Sequence, residues 1–126
     1  MEHQKTIEIF VCCEVGQVVD WLNLVAGPVV LTGTVGAMII HETRVGTVFV
    51  TPGVGDGSFV SIYLGATGAP WATDVDFARQ AAAELGCVVR CDPGQHHPDV
   101  HPESDIFLEI DRGAEVLVDW YVELDS

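Results

Sequence analysis

The sequence predicts an α+β domain, a mostly antiparallel sheet with two helices packed on one of its faces. Three observations lead there. Apolar and polar residues alternate over short stretches along much of the chain, which is the period of strands. Only two windows carry apolar residues at the i, i+3, i+4, i+7 spacing of an amphipathic helix. Most links between the strand-like stretches are short and contain glycine, which suits hairpins better than parallel crossovers.

Thr6 to Cys13 forms the first predicted strand, with Ile7, Ile9, Val11 and Cys13 on one face. Glu14 to Ala26 follows as a helix, its stripe made by Val15, Val18, Val19, Leu22, Val25 and Ala26. Glu14, Gln17, Asp20 and Asn23 make its solvated face, and Gly27-Pro28 ends it. Strands are expected at Val29 to Thr34, Ala37 to His41, Thr47 to Thr51 and Phe59 to Leu64. Thr73 opens the second helix with Asp76 as a capping partner three residues on. Val75, Ala78, Ala81, Ala82 and Leu85 form its stripe, and Gly86 closes it. Cys87 to Cys91 returns as a short strand. The order β-α-β-β-β-β-α-β-β-β allows a ferredoxin-like core extended by a C-terminal β-hairpin.

That hairpin carries the clearest alternation. Ile106, Leu108 and Ile110 oppose Asp105, Phe107, Glu109 and Asp111. After Arg112-Gly113-Ala114, Val116, Val118, Trp120, Val122 and Leu124 oppose Glu115, Leu117, Asp119, Tyr121, Glu123 and Asp125. The alternation gives one buried and one wet face, and a three-residue loop is favoured, because a one-residue slip would send every side chain to the wrong side. It pairs Ile110 with Val116, Leu108 with Val118 and Ile106 with Trp120, and predicts Trp120 buried and Tyr121 exposed. The outer face then gathers Asp105, Glu109, Asp111, Glu115, Asp119, Glu123 and Asp125 around Phe107, Leu117 and Tyr121. Apolar anchors among steering charges are the pattern of a protein interface.

Composition narrows the class of partner. The 126 residues suffice for one domain with a proper core, and 48% hydrophobic content excludes a disordered acidic tail. A formal net charge of -14 repels nucleic acid and anionic membranes and attracts a basic protein or a cation. The start of the chain has no basic segment leading into an apolar one, so no signal peptide is expected. No apolar run approaches the ~20 residues that span a bilayer. Cys12, Cys13, Cys87 and Cys91 lie in apolar stretches and suggest free thiols in a reducing cytoplasm.

Catalytic and cofactor chemistry find little support. Gly53, Gly55 and Gly57 are followed by a strand-like run rather than by the helix N-terminus a phosphate cradle needs, so they read as a hairpin loop. Cys13 precedes a helix, but Glu14 beside it opposes a thiolate. Cys87, Cys91, His96, His97 and His101 include ligand types suited to zinc, yet their spacing fits no zinc framework. No catalytic residue, metal or cofactor is therefore assigned.

In size, acidity and α+β patterning, the whole chain resembles the small acidic immunity proteins of bacterial toxin–immunity systems. The resemblance implies a bacterial, cytoplasmic domain that binds and neutralises a toxin domain. It rests on no motif, so no family residue is carried over. The competing expectation is a small metal-responsive or structural domain using the Cys87–His101 segment.

Overall fold

The computed structural model describes residues 6–65, 70–101 and 104–120. The elements are β1 (Thr6–Val11), α1 (Val15–Val25), β2 (Val30–Val35), β3 (Met38–Thr43), β4 (Gly46–Val54), β5 (Phe59–Gly65), α2 (Asp74–Leu85), β6 (Val89–Cys91), β7 (Ile106–Asp111) and β8 (Ala114–Asp119). A 3-10 turn, Gly94–His96, follows β6. The strands form one eight-stranded sheet in the order β2-β3-β4-β5-β1-β6-β7-β8, antiparallel throughout. The expected fold class, element order and placement of both helices on one face agree with this. Among the described residues, no helix is long and apolar enough to cross a membrane.

β1 sits inside the sheet because its odd residues have nowhere wet to go. Ile7, Ile9 and Val11 are buried beneath the helices with Val48 and Val50 of β4, Val60, Ile62 and Leu64 of β5, and Leu108 and Ile110 of β7. At the start of α1, Glu14 and Gln17 form a reciprocal capping box. At the start of α2, Thr73 Oγ1 accepts the Asp76 backbone N–H at 3.1 Å. Gly86 closes α2 in the left-handed region at φ 68, where a side chain would be strained.

The helix stripes are wider than the sequence suggested. Trp21 of α1 and Phe77 of α2 are buried and stack with ring centroids 5.4 Å apart; Trp71 packs on Phe77 at 4.3 Å. The two indole N–H groups need acceptors at the core's edge. Trp21 Nε1 donates to Glu84 Oε1 at 2.8 Å, and Trp71 Nε1 donates to Gln80 Oε1 at 2.6 Å. These aromatics serve the contact between the helices as well as the one with the sheet.

The C-terminal hairpin differs from expectation by one residue. Its turn is Arg112-Gly113, with φ of 53 and 84, and its pairs are Asp111 with Ala114, Ile110 with Glu115, Glu109 with Val116, Leu108 with Leu117, Phe107 with Val118 and Ile106 with Asp119. Two successive positive φ values mark the tight hairpin whose twist matches its strands. The three-residue loop is therefore wrong. The physical reason is that the sheet has a second apolar face. Val116 and Val118 join Phe107 there, while Glu115, Leu117 and Asp119 take the helix side. Trp120 is only half-buried, and Tyr121, Val122, Glu123, Leu124 and Asp125 lie outside the described residues.

Candidate protein-docking face

Strand parity sends a second set of side chains to the face opposite the helices. They are Glu8 and Phe10 of β1, Met38 of β3, Phe49 and Thr51 of β4, Phe59, Ser61 and Tyr63 of β5, Arg90 of β6, and Phe107 and Glu109 of β7. Among the described residues, no helix covers this face.

One part of it is closed by its own packing. Phe10 lies edge-on to Phe107 at 5.8 Å and to Trp120 at 5.3 Å, and Trp120 meets Phe59 at 4.7 Å. The Arg90 guanidinium stands 4.8 Å from the Phe59 ring centre and 4.7 Å from that of Trp120. Its Nε and Nη2 donate to Glu109 Oε1 at 2.9 and 2.7 Å. Cation–π contacts of this kind contribute roughly 0.5 to 2 kcal/mol. Trp120 can lie so low because Gly55 (φ 72) has no side chain; a Cβ there would come within 2.6 Å of Trp120 Cζ2. The glycine run thus belongs to the β4–β5 turn, with a strand after it.

The neighbouring part is an open groove of about 390 Å3 lined by Glu8, Met38, Phe49, Thr51, Val54, Ser61 and Tyr63. Phe49 and Tyr63 are cross-strand partners with ring centroids 6.0 Å apart, and Tyr63 is 37% exposed. Ser61 Oγ donates to Glu8 Oε2 at 3.0 Å. Burial pushes the Glu8 carboxyl above its usual range, and the Ser61 hydrogen bond offsets part of that. The ion pairs among the described residues are Arg79–Glu115, Arg90–Glu109 and Arg112–Asp111, so Glu8 is in none of them. A carboxylate partly withdrawn from water beside an aromatic wall is suited to a guanidinium or ammonium group. Glu8 also borders a smaller hollow of about 240 Å3 shared with Phe10, Asp74, Asp92, Ser104, Asp105 and Phe107. There burial, reinforced by Asp92, lifts the Asp74 carboxyl to about 6.

The corrected register divides the residues expected to bind a partner. Asp105, Phe107, Glu109 and Asp111 belong to the helix-free side, whereas Glu115, Leu117 and Asp119 do not. Tyr121 and Glu123 lie outside the described residues. Three of these acids already have internal cations, Asp111 meeting the exposed Arg112 at 4.0 Å. Glu109 holds Arg90, and Glu115 takes Arg79 of α2 in a two-point pair at 2.8 and 3.0 Å that lowers its carboxyl pKa. Phe107 packs against the aromatic cluster. The residues missed by sequence reasoning are Glu8, Phe49 and Tyr63. Their signal was present: two aromatics occupy the supposedly wet parity of β4 and β5, between Val48 and Val50 and between Ile62 and Leu64.

The Cys87–His101 segment is spread out. Cys91 is buried in the main core, where burial raises its thiol pKa, and His96 lies in the 3-10 turn. Among the described residues, no group of three or more His, Cys, Asp or Glu side chains is arranged to hold a metal ion.

No protein-family model matches this chain, and no curated protein or solved structure matches it either.

Proposed function

We propose that this chain is an acidic protein-binding module that neutralises a basic partner, in the manner of a cytoplasmic immunity protein inhibiting a bacterial toxin domain. The observation that carries the proposal is Glu8, a partly dehydrated carboxylate beside Tyr63, with Phe49 one strand further on, on the helix-free face of a chain with net charge -14. In this reading β4-β5-β1-β6 and the two helices form a ferredoxin-like core with one hairpin added at each edge. The added strands widen the free face into a docking surface. An arginine or lysine of the partner enters the groove, and Asp105 and Asp111 at the β7 side supply steering charge. Occluding the partner's active site or nucleic-acid groove requires no catalysis. Nucleic acid and anionic membranes are repelled by the same charge.

The test measures binding kinetics against a basic protein, with the product of a neighbouring gene as the first candidate. Charge steering acts on association, so binding should slow as salt rises. Anchors act on dissociation. Tyr63→Ala should speed dissociation by about 10- to 30-fold, the equivalent of ~1.4 to 2 kcal/mol for a buried aromatic anchor. Glu8→Gln should do at least as much, because it removes the charge facing the partner's cation. Asp20→Asn, on the exposed face of α1, should leave dissociation unchanged. Loss of binding in Asp20→Asn with full binding in the other two would place the interface on the helices.

A further inference from the structure

We propose that Cys13 and Cys87 are a reversible dithiol–disulfide pair, closed by low-molecular-weight disulfides of the glutathione type. This site is independent of the docking groove. It follows from the β1–β6 register, in which Ile9 faces Cys91, Phe10 faces Arg90 and Val11 faces Val89. The ladder continues beyond both strands, since the Cys12 backbone N–H donates to the Val88 carbonyl at 2.9 Å. One residue further, Cys13 falls opposite Cys87. Because Cys12 and Val88 exchange a ladder hydrogen bond, Cys13 and Cys87 occupy the adjacent non-hydrogen-bonded position, where Cα atoms approach to about 4.5 Å. That separation lies within the ~4.4 to 6.8 Å that a disulfide spans.

The side chains meet as well. Both thiols pack at the edge of the main core and both are partly exposed. The two thiols lie close enough to interact directly, and this interaction lowers the Cys87 pKa and raises that of Cys13. Cys87 is thereby the attacking thiolate and Cys13 the resolving thiol. The Cys87 thiolate attacks one sulfur of glutathione disulfide and expels glutathione thiolate, leaving a mixed disulfide at Cys87. Cys13 gives up its proton and attacks the Cys87 sulfur, releasing the second glutathione. The protein sulfurs lose two electrons, and the two glutathiones gain them and the two protons. The product ties the entry of α1 to the exit of α2. Cys12 points to the other side of the strand and Cys91 is buried, so neither takes part.

The experiment incubates the intact protein with glutathione disulfide, then blocks remaining thiols and maps the peptides by mass spectrometry. Free thiols should fall from the four in the sequence to two, with one cross-link joining Cys13 to Cys87. Cys12→Ser should retain that cross-link, and excess reduced glutathione should reverse it. In Cys13→Ser, glutathione should remain attached at Cys87, because the resolving thiol is gone. A cross-link mapped to Cys12, or stable glutathione at Cys87 in the parent chain, would overturn the proposal.

Discussion

Replacing Gly55 with alanine tests whether Trp120 lies over the β4–β5 turn, and with it the two-residue register of the C-terminal hairpin. Two costs add at this position. The φ of 72 is left-handed, which is unfavourable for alanine by roughly 1 to 2 kcal/mol. The new Cβ would also stand 2.6 Å from Trp120 Cζ2 and 3.1 Å from Cε2, so the indole must move off Phe10, Phe59 and Phe107. Overpacking of this kind costs about 1 to 3 kcal/mol. The total is about 2 to 5 kcal/mol. Gly53 is the matched control: its φ is 73, and nothing lies within 4 Å of a Cβ there. Gly53→Ala should therefore cost only the backbone part. Urea unfolding followed by far-ultraviolet circular dichroism measures both variants without relying on Trp120 fluorescence. In a Trp120→Ala background, Gly55→Ala should shrink to the cost of Gly53→Ala, because its clash has been removed. If Gly55→Ala costs no more than Gly53→Ala in the parent, or its excess survives loss of Trp120, the packing described for the helix-free face is wrong.

Phe77→Ala should destabilise by about 3 to 5 kcal/mol in the same assay, since it removes the ring between Trp21 and Trp71. A loss below 1 kcal/mol would contradict the helix contact. Asp74 makes a pH prediction. Its folded pKa of about 6 lies above the ordinary 3.8, so the native state keeps its proton to higher pH than the unfolded chain. The group therefore costs stability above pH 6, and that cost fades as pH falls towards 4. The gap corresponds to about 3 kcal/mol at most, reduced to about 1 to 2 by solvent screening at this partly open site. Asp74→Asn should thus stabilise at pH 8 and make no comparable difference near pH 4; equal effects at both would refute the assignment. Breaking the exposed Arg79–Glu115 pair with Glu115→Gln should cost under about 1 kcal/mol and less in high salt. A larger, salt-independent loss would show that the pair anchors β8 to α2.

The fold was legible where one physical signal dominated. Ile7, Ile9 and Val11 alternate with Glu8 and Phe10, and the helix spacing of Val18 with Leu22 and of Val75 with Ala78 and Ala82 fixes the covered face. Thr73 and Gly86 marked the ends of α2 through capping chemistry. The hairpin register was not legible, because alternation identifies two faces without saying which is buried. Val116, Val118 and Trp120 do gather on an apolar side, but it is the side opposite the helices. Phe10 and Phe59 already form an apolar platform there. The groove was hidden for a related reason. Phe49 and Tyr63 look like isolated aromatics until β4 is placed beside β5, and Glu8 gains its raised pKa from burial in the assembled fold. Cys13 and Cys87, 74 positions apart in sequence, meet only through the β1–β6 register.

The most direct test of the docking face is amide and side-chain NMR of the intact protein during titration with a short tetra-arginine peptide. Saturable shifts should concentrate at Glu8, Phe49, Ser61 and Tyr63 and be lost in Glu8→Gln. Peptide binding should weaken as pH falls through the raised Glu8 pKa, because protonation removes the charge that holds the guanidinium. Shifts centred on Asp20 and the exposed face of α1, or spread evenly over all acidic residues and unchanged in Glu8→Gln, would contradict this docking face.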